Sequence, residues 1–243
     1  MDRSKDKMSQ DNNLLMKNDQ KGLFFIIGVI FNKLKQDGLS TTVKKISKNL
    51  YHKALGVDFS MQEIANLTIE SDNKSLGTIC GSSAEHTVKH VLDTLVEFDK
   101  SVLDGTFVDY GSGKGKLIIF AKQYGFKKTV GIEFAKELCE ISRKNIKQLK
   151  IQNSEVLHLD AIEYIPTPDT RVIYFLNPFD ETVFQKVLPK IIEHTKNFEK
   201  EIYIVYRAPI YNFVFSQFPQ ITHIKSDTYR GDKTEFYKIS NEA

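Results

Sequence analysis

The chain has 243 residues, with 34 lysines and arginines against 31 acids, 6 histidines and a formal net charge of +3. That length suits one large domain or one domain with an extension, and the charged and hydrophobic fractions, 27% and 41%, are those of an ordinary soluble protein. Cys80 and Cys139 form neither a C-x-x-C pair nor a Cys/His cluster, so no zinc site, other metal site or disulfide framework is indicated, and a reduced, cytoplasmic setting is expected.

In chain order, residues 1–21 are polar with only Leu14, Leu15 and Met16 to bury, a composition that predicts disorder. Residues 23–31 are the most apolar run, about half of the roughly twenty residues a membrane-spanning helix needs. No small-residue cleavage site follows them, as a secretory signal would require. A basic amphipathic stretch then runs to Tyr51, and residues 22–60 are read as a helical extension. Residues 1–60 hold 11 Lys and Arg against 6 Asp and Glu, +5, which leaves 23 against 25, −2, for the rest. The preferred reading of the extension is a cap whose apolar face packs on the domain that follows. The other is contact with an anionic partner or a membrane surface through residues 22–53, which would make the protein peripheral to a membrane.

Residues 61–243 are read as one α/β domain. Ile64–Glu70 alternates as a short strand. Ser83–Phe98 reads as an amphipathic helix, with Val88, Val91, Leu92, Leu95 and Phe98 at the 3.6-residue period and Ser82 or Ser83 as N-cap. His86 and His90 stand at a metal-like spacing but lack a third ligand, and are read as solvent-facing or rim residues.

Phe107-Val108-Asp109-Tyr110 then forms a strand ending in an acid, followed by Gly111-Ser112-Gly113-Lys114-Gly115 and a helix from Lys116. Alternate glycines let the chain turn tightly and let a ligand press on backbone without Cβ, in front of the amides that open the helix. A strand, glycine loop and helix in this order is how open α/β sheets hold a nucleotide-like cofactor. A dinucleotide fold wants G-x-G-x-x-G, but here the third glycine follows the second by two residues. A P-loop wants G-x-x-x-x-G-K-[ST], but Tyr110 stands at its first glycine and Leu117 at its hydroxyl. The pattern that remains, acidic-x-G-x-G-x-G, resembles motif I of the class I S-adenosylmethionine-dependent methyltransferases.

Lys128–Glu133 reads as a second strand, whose acid lies about twenty residues past the loop, where a carboxylate meets ribose hydroxyls in doubly wound folds. Glu155–Asp160 is a third strand ending in an acid. Arg171–Leu176 is a fourth, apolar strand that ends in Asn177-Pro178-Phe179. These strand ends line the crevice of an open parallel sheet. A helix over Phe184–His194, a strand over Glu201–Tyr206, a helical stretch over Ala208–Phe218 and two antiparallel strands, 220–225 and 234–239, complete the reading.

With these residues together, the chain looks like a group of small, largely bacterial class I methyltransferases of undefined substrate. The similarity covers residues 40–210, including Leu55-Gly56-Val57-Asp58, and extends more distantly to non-SET protein-lysine methyltransferases. The resemblance implies a Rossmann-like, doubly wound α/β fold with seven strands, mainly parallel, the last antiparallel, behind the N-terminal helical extension. It implies S-adenosyl-L-methionine as cofactor. Asp109, Gly111, Ser112, Gly113 and Gly115 would meet its methionyl end, Glu133 its ribose, and Phe134, Asp160 and Ala161 its adenine. Asn177 and Pro178 would edge the acceptor pocket, with Phe179 packed on the acceptor and Tyr206 either bordering that side or in the core. The implied acceptor is a protein amine such as lysine in preference to RNA or a small molecule. Amino-directed members usually carry Asn/Asp-Pro-Pro-Tyr/Phe, and here a single proline precedes Phe179. A non-catalytic cofactor-binding module or partner subunit stays open as an alternative, and a Rossmann oxidoreductase is disfavoured by the glycine spacing.

Overall fold

Val172-Ile173-Tyr174-Phe175 and Ile202-Tyr203-Ile204-Val205-Tyr206 are apolar on both faces, and such strands need cover on both sides. In the computed structural model, which describes residues 38–60 and 84–239, they lie at the centre of one seven-stranded sheet. The helices are α1 (Leu39–Ala54), α2 (Glu85–Phe98), α3 (Lys116–Tyr124), α4 (Lys136–Gln148) and α5 (Glu181–Thr195). The strands are β1 (Thr106–Tyr110), β2 (Lys128–Glu133), β3 (Ser154–His158), β4 (Thr170–Leu176), β5 (Ile202–Arg207), β6 (Ile221–Tyr229) and β7 (Asp232–Ile239). Their order across the sheet is β3-β2-β1-β4-β5-β7-β6. The pairs from β3 to β5 are parallel, and β7 runs antiparallel to both β5 and β6. This is the Rossmann-like sheet with an antiparallel last strand that the sequence predicts.

Alternation along the strands sorts side chains to two faces. Ile173, Phe175, Ile204 and Tyr206 pack with Phe184, Val187 and Leu188 of α5 and with Phe215. Val172, Tyr174, Val205 and Phe236 pack on the other face with Val88, Val91, Leu92 and Leu95 of α2. Chain reversal occurs at β1: the strand order runs outward through β2 and β3, then restarts on the opposite side with β4. Such a switch point opens a crevice at the carboxyl ends of the two central strands.

Several boundaries differ from expectation for identifiable reasons. α5 begins at Glu181 because the Asp180 side chain accepts the Val183 N–H at 3.1 Å, an N-cap ahead of the apolar run. The stretch read as helical over 208–218 is a 3-10 turn confined to Asn212–Gln217. Ala208 has φ 48, and the Tyr206 hydroxyl takes the N–H groups of Ile210 and Tyr211 at 3.3 and 3.2 Å, so these amides cannot enter a helix. The β6–β7 hairpin is longer than expected, closing through Arg230 and Gly231 at φ 52 and 87, the left-handed pair of a tight hairpin turn. His90, read as solvent-facing or rim, sits at the rim half-buried: its Nε2 lies 2.7 Å from Asp227 and its ring stacks on Tyr229 at 4.2 Å. α2 starts at Glu85 after Ala84, which makes no side-chain cap. The disordered segment expected over 1–21, the apolar run 23–31, the strand over 64–70 and the caps Ser82 and Ser83 lie outside the described residues.

The chain divides into two units, Met1–Leu55 and Gly56–Ala243, so the unit that carries the sheet starts upstream of the 60/61 boundary drawn from the sequence. In the first unit, α1 exposes Val43, Ile46, Leu50 and Tyr51. Among the described residues no helix is long and apolar enough to cross a membrane.

Phe175 has no exposure and its ring neighbours Tyr110, Phe179, Phe184, Tyr206 and Phe215. Phe175→Ala is expected to lower the unfolding free energy by about 3–5 kcal/mol, measured by chemical denaturation.

Candidate functional site

At the switch point, β1 gives way to the glycine turn beside the end of β4. Gly111 has φ 79, and a Cβ there would lie 2.8 Å from Pro178 Cβ, so only glycine lets the turn approach the Asn177-Pro178 corner this closely. Gly115, at φ 77, is closed off from the other side: a Cβ would overlap Ser142 Oγ. The turn is thus wedged between β4's exit and α4.

Glu133 closes it from β2. Its Oε2 accepts the Gly113 N–H at 2.8 Å and its Oε1 accepts the Ala135 N–H at 2.9 Å. An ionised carboxylate offers about four lone-pair positions, so each oxygen has capacity for a further donor. Asp109, at the end of β1, is 3% exposed, and Glu133 is 4% exposed. Among the described residues no hydrogen bond reaches the Asp109 carboxyl. Burial, reinforced by the Glu133 charge, pushes Asp109 from its ordinary value of 3.8 up to about 8. Burial also raises Glu133, against the lowering effect of the amides it accepts.

The remaining predicted residues sit at the neighbouring strand ends. Phe134 is half-buried, and its carbonyl faces His158 Nε2 at 3.0 Å. Asp160 and Ala161 follow β3, tied to β2 by the Leu159 N–H donating to the Glu133 carbonyl at 3.0 Å. The Asp160 side chain accepts the Ile162 N–H at 2.9 Å and caps the 3-10 turn Ala161–Glu163. Ser112 is buried with a hydroxyl that has no hydrogen-bond partner among the described residues, and packs over Gly131, where a Cβ would come within 2.5 Å of its Oγ.

Asn177 follows β4 at φ 42, and its Oδ1 accepts a hydrogen bond from the Tyr206 hydroxyl at 3.0 Å. Tyr206 is fully buried, so of its two readings the core one holds for the ring, while its hydroxyl reaches the site. Phe179, expected against the acceptor, is 9% exposed and packs edge-on to Tyr110, Phe175 and Phe184. Apolar burial has drawn its ring inward behind Pro178.

Sequence reasoning missed a second set of contacts. Lys114, inside the turn, is 6% exposed, and its Nζ donates to Asp58 Oδ2 at 2.7 Å and Ser60 Oγ at 3.0 Å. Asn145 of α4 has no exposure and donates Nδ2 to the carbonyls of Lys114 and Asp58 at 3.0 and 2.8 Å. A lysine in a glycine loop and an asparagine in a polar helix carry no signal of pairing. The Leu55–Asp58 resemblance was the nearest hint.

A sheet of this order with a glycine turn at the switch point and acids at the ends of β1 and β2 is the architecture of the class I S-adenosylmethionine-dependent methyltransferases. The chain belongs to the family described as Conserved hypothetical protein 95, which matches residues 70–238. No curated protein matches it. Among solved structures it is similar to an RNA methyltransferase from Salinibacter ruber in complex with S-adenosyl-L-homocysteine. That chain is 20% identical, with a TM-score of 0.51 over 67% of this chain and 96% of that one. It is also similar to yhhF of Escherichia coli, provisionally named a methyltransferase. Here the identity is 16% and the TM-score 0.51, over 65% of this chain and 88% of that one.

Because the folded state holds a proton on Asp109 that the unfolded chain releases near 3.8, stability is expected to fall as pH rises from about 4 to about 8 and then to level off with respect to this group. Asp109→Asn should flatten that slope and be the more stable protein at pH 8.5, as read from urea midpoints across the range.

Proposed function

We propose that this protein transfers a methyl group from S-adenosyl-L-methionine to a nitrogen acceptor, with a protein lysine amine preferred. The observation that carries the cofactor is Asp109: a carboxyl almost wholly buried at the switch point, beside bare glycine backbone, without a donor among the described residues. Burying an ionisable group unpaired is costly, and a bound ammonium supplies the missing donor and charge. The glycine turn brings backbone without Cβ to the same place, so that the methionyl end can lie close against it. Glu133 retains lone pairs for ribose hydroxyls. Phe134, Asp160 and Ala161 border the place left for an adenine.

The cofactor supplies a methyl group already activated on a sulfonium. The chain's own residues therefore need to align the acceptor rather than generate a strong base. Alignment alone contributes on the order of 7–11 kcal/mol to such a barrier. Asn177 Oδ1, held by Tyr206 at 3.0 Å, is placed to accept a hydrogen bond from an amine and direct its lone pair. Pro178 walls that position, and Phe179 supports it from the core.

Calorimetry with S-adenosylhomocysteine is expected to show binding that weakens at least about tenfold in Glu133→Ala; unchanged affinity would refute the site. Label passed from methyl-labelled cofactor into a cell extract should be removed by protease and survive ribonuclease. The reverse pattern moves the acceptor to RNA, and no label at all favours a non-catalytic binding module.

A further inference from the structure

We infer that Asp58, which lies outside the family-matched residues 70–238, is a positioning residue of the cofactor site: through Lys114 and Asn145 it latches Val57–Ser60 onto the glycine turn and holds the turn in its binding shape. This rests on the proposal that the turn binds S-adenosylmethionine.

The contacts close a loop of bonds across the chain. The Asp58 N–H donates to Asn145 Oδ1 at 2.9 Å, and its carbonyl receives Asn145 Nδ2 at 2.8 Å. Both of the asparagine's side-chain groups are thus used on the backbone of one residue, and Nδ2 also reaches the Lys114 carbonyl at 3.0 Å. The Asp58 carboxylate takes Lys114 Nζ on Oδ2 and the Ser60 amide and hydroxyl on Oδ1, at 2.8 and 2.7 Å. Partial burial raises the acid, but these three donors from Lys114 and Ser60 together outweigh it and hold the carboxyl below its ordinary range.

The Lys114 side chain is 5% exposed while that of Asp58 is 44% exposed. A lysine in a ligand loop would otherwise be read as an anion ligand. Here its ammonium points away into the segment before the domain, with its charge matched by Asp58. What reaches the cofactor side is the backbone on either side of Lys114. Gly113 donates its N–H to Glu133, and Gly115 donates its own to the Ser112 carbonyl at 2.9 Å. The turn is therefore pinned from β2 by Glu133 and from the opposite side by Asp58 and Asn145. Ser142, one helical turn before Asn145, fills the space beside Gly115. Backbone fixed at both ends offers a preformed surface with little ordering left to do on binding.

Asp58→Asn is expected to weaken S-adenosylhomocysteine binding about tenfold by calorimetry. Lys114→Met should do the same, and the double variant should be little worse than either single one. Asp58→Glu, which keeps the charge, should recover most of the affinity, a rescue that loss of general stability would not give. If Asp58→Asn fails to fold, Asp58→Leu with Lys114→Met removes both charges, and that protein should fold and bind weakly. Wild-type affinity in any folded variant lacking the Asp58 carboxylate overturns the latch. A wild-type protein that binds no S-adenosylhomocysteine instead overturns the methyltransferase reading beneath it.

Discussion

Two carboxyl groups buried side by side at the ends of adjacent parallel strands set the conditions for everything around them. Asp109 and Glu133 are each nearly inaccessible, and both are pushed toward the protonated form. A fold selected for stability alone has no use for such a pair, because each charge removed from water must find a partner. Glu133 finds two amides, and in doing so fixes Gly113. Among the described residues Asp109 accepts no hydrogen bond. The stability given up at β1 is matched by cores on both faces of the sheet, where Tyr174, Phe175, Phe184, Tyr206 and Phe236 are fully buried.

The crevice itself is made by the close passage of two strand exits. Gly111 at the end of β1 and Pro178 after β4 touch at a distance that excludes any larger residue in the turn. Asn177 must adopt φ 42 to leave β4 toward that contact, and Tyr206 from β5 holds it there with a hydroxyl that also gathers the amides of Ile210 and Tyr211. Three consecutive strands of the sheet, β1, β4 and β5, are thereby coupled through one tyrosine oxygen and one glycine. Phe179 belongs to this arrangement as a structural wedge: its ring sits behind the corner rather than in front of it.

On the remote side of the turn the same economy applies with opposite charge. Lys114 is buried and would destabilise the loop if unpaired, yet Asp58 compensates it from a segment 56 residues earlier. The sheet-bearing unit starts at Gly56, and within it Asp58 and Ser60, outside the family-matched residues, hold the Lys114 ammonium.

The sequence by itself determined the sheet and the nature of its principal ligand site. Apolar runs of strand length, each ending in an acid or Asn-Pro, and alternate glycines at 111, 113 and 115 are local signals, because strand burial and backbone freedom are properties of a few adjacent residues. Tertiary structure alone decided which side chains those signals place against each other. Phe179 was legible as an aromatic beside a proline, but the direction of its ring depends on three other rings, Tyr110, Phe175 and Phe184, brought from β1, β4 and α5. The 208–218 stretch has helical composition, yet Tyr206 withdraws its amides. His90 meets Asp227 only when the β6–β7 hairpin lies along α2. Lys114 and Asn145 look like surface residues until Asp58 reaches them, since the partner that makes burying a charge or an amide tolerable comes from a distant part of the chain.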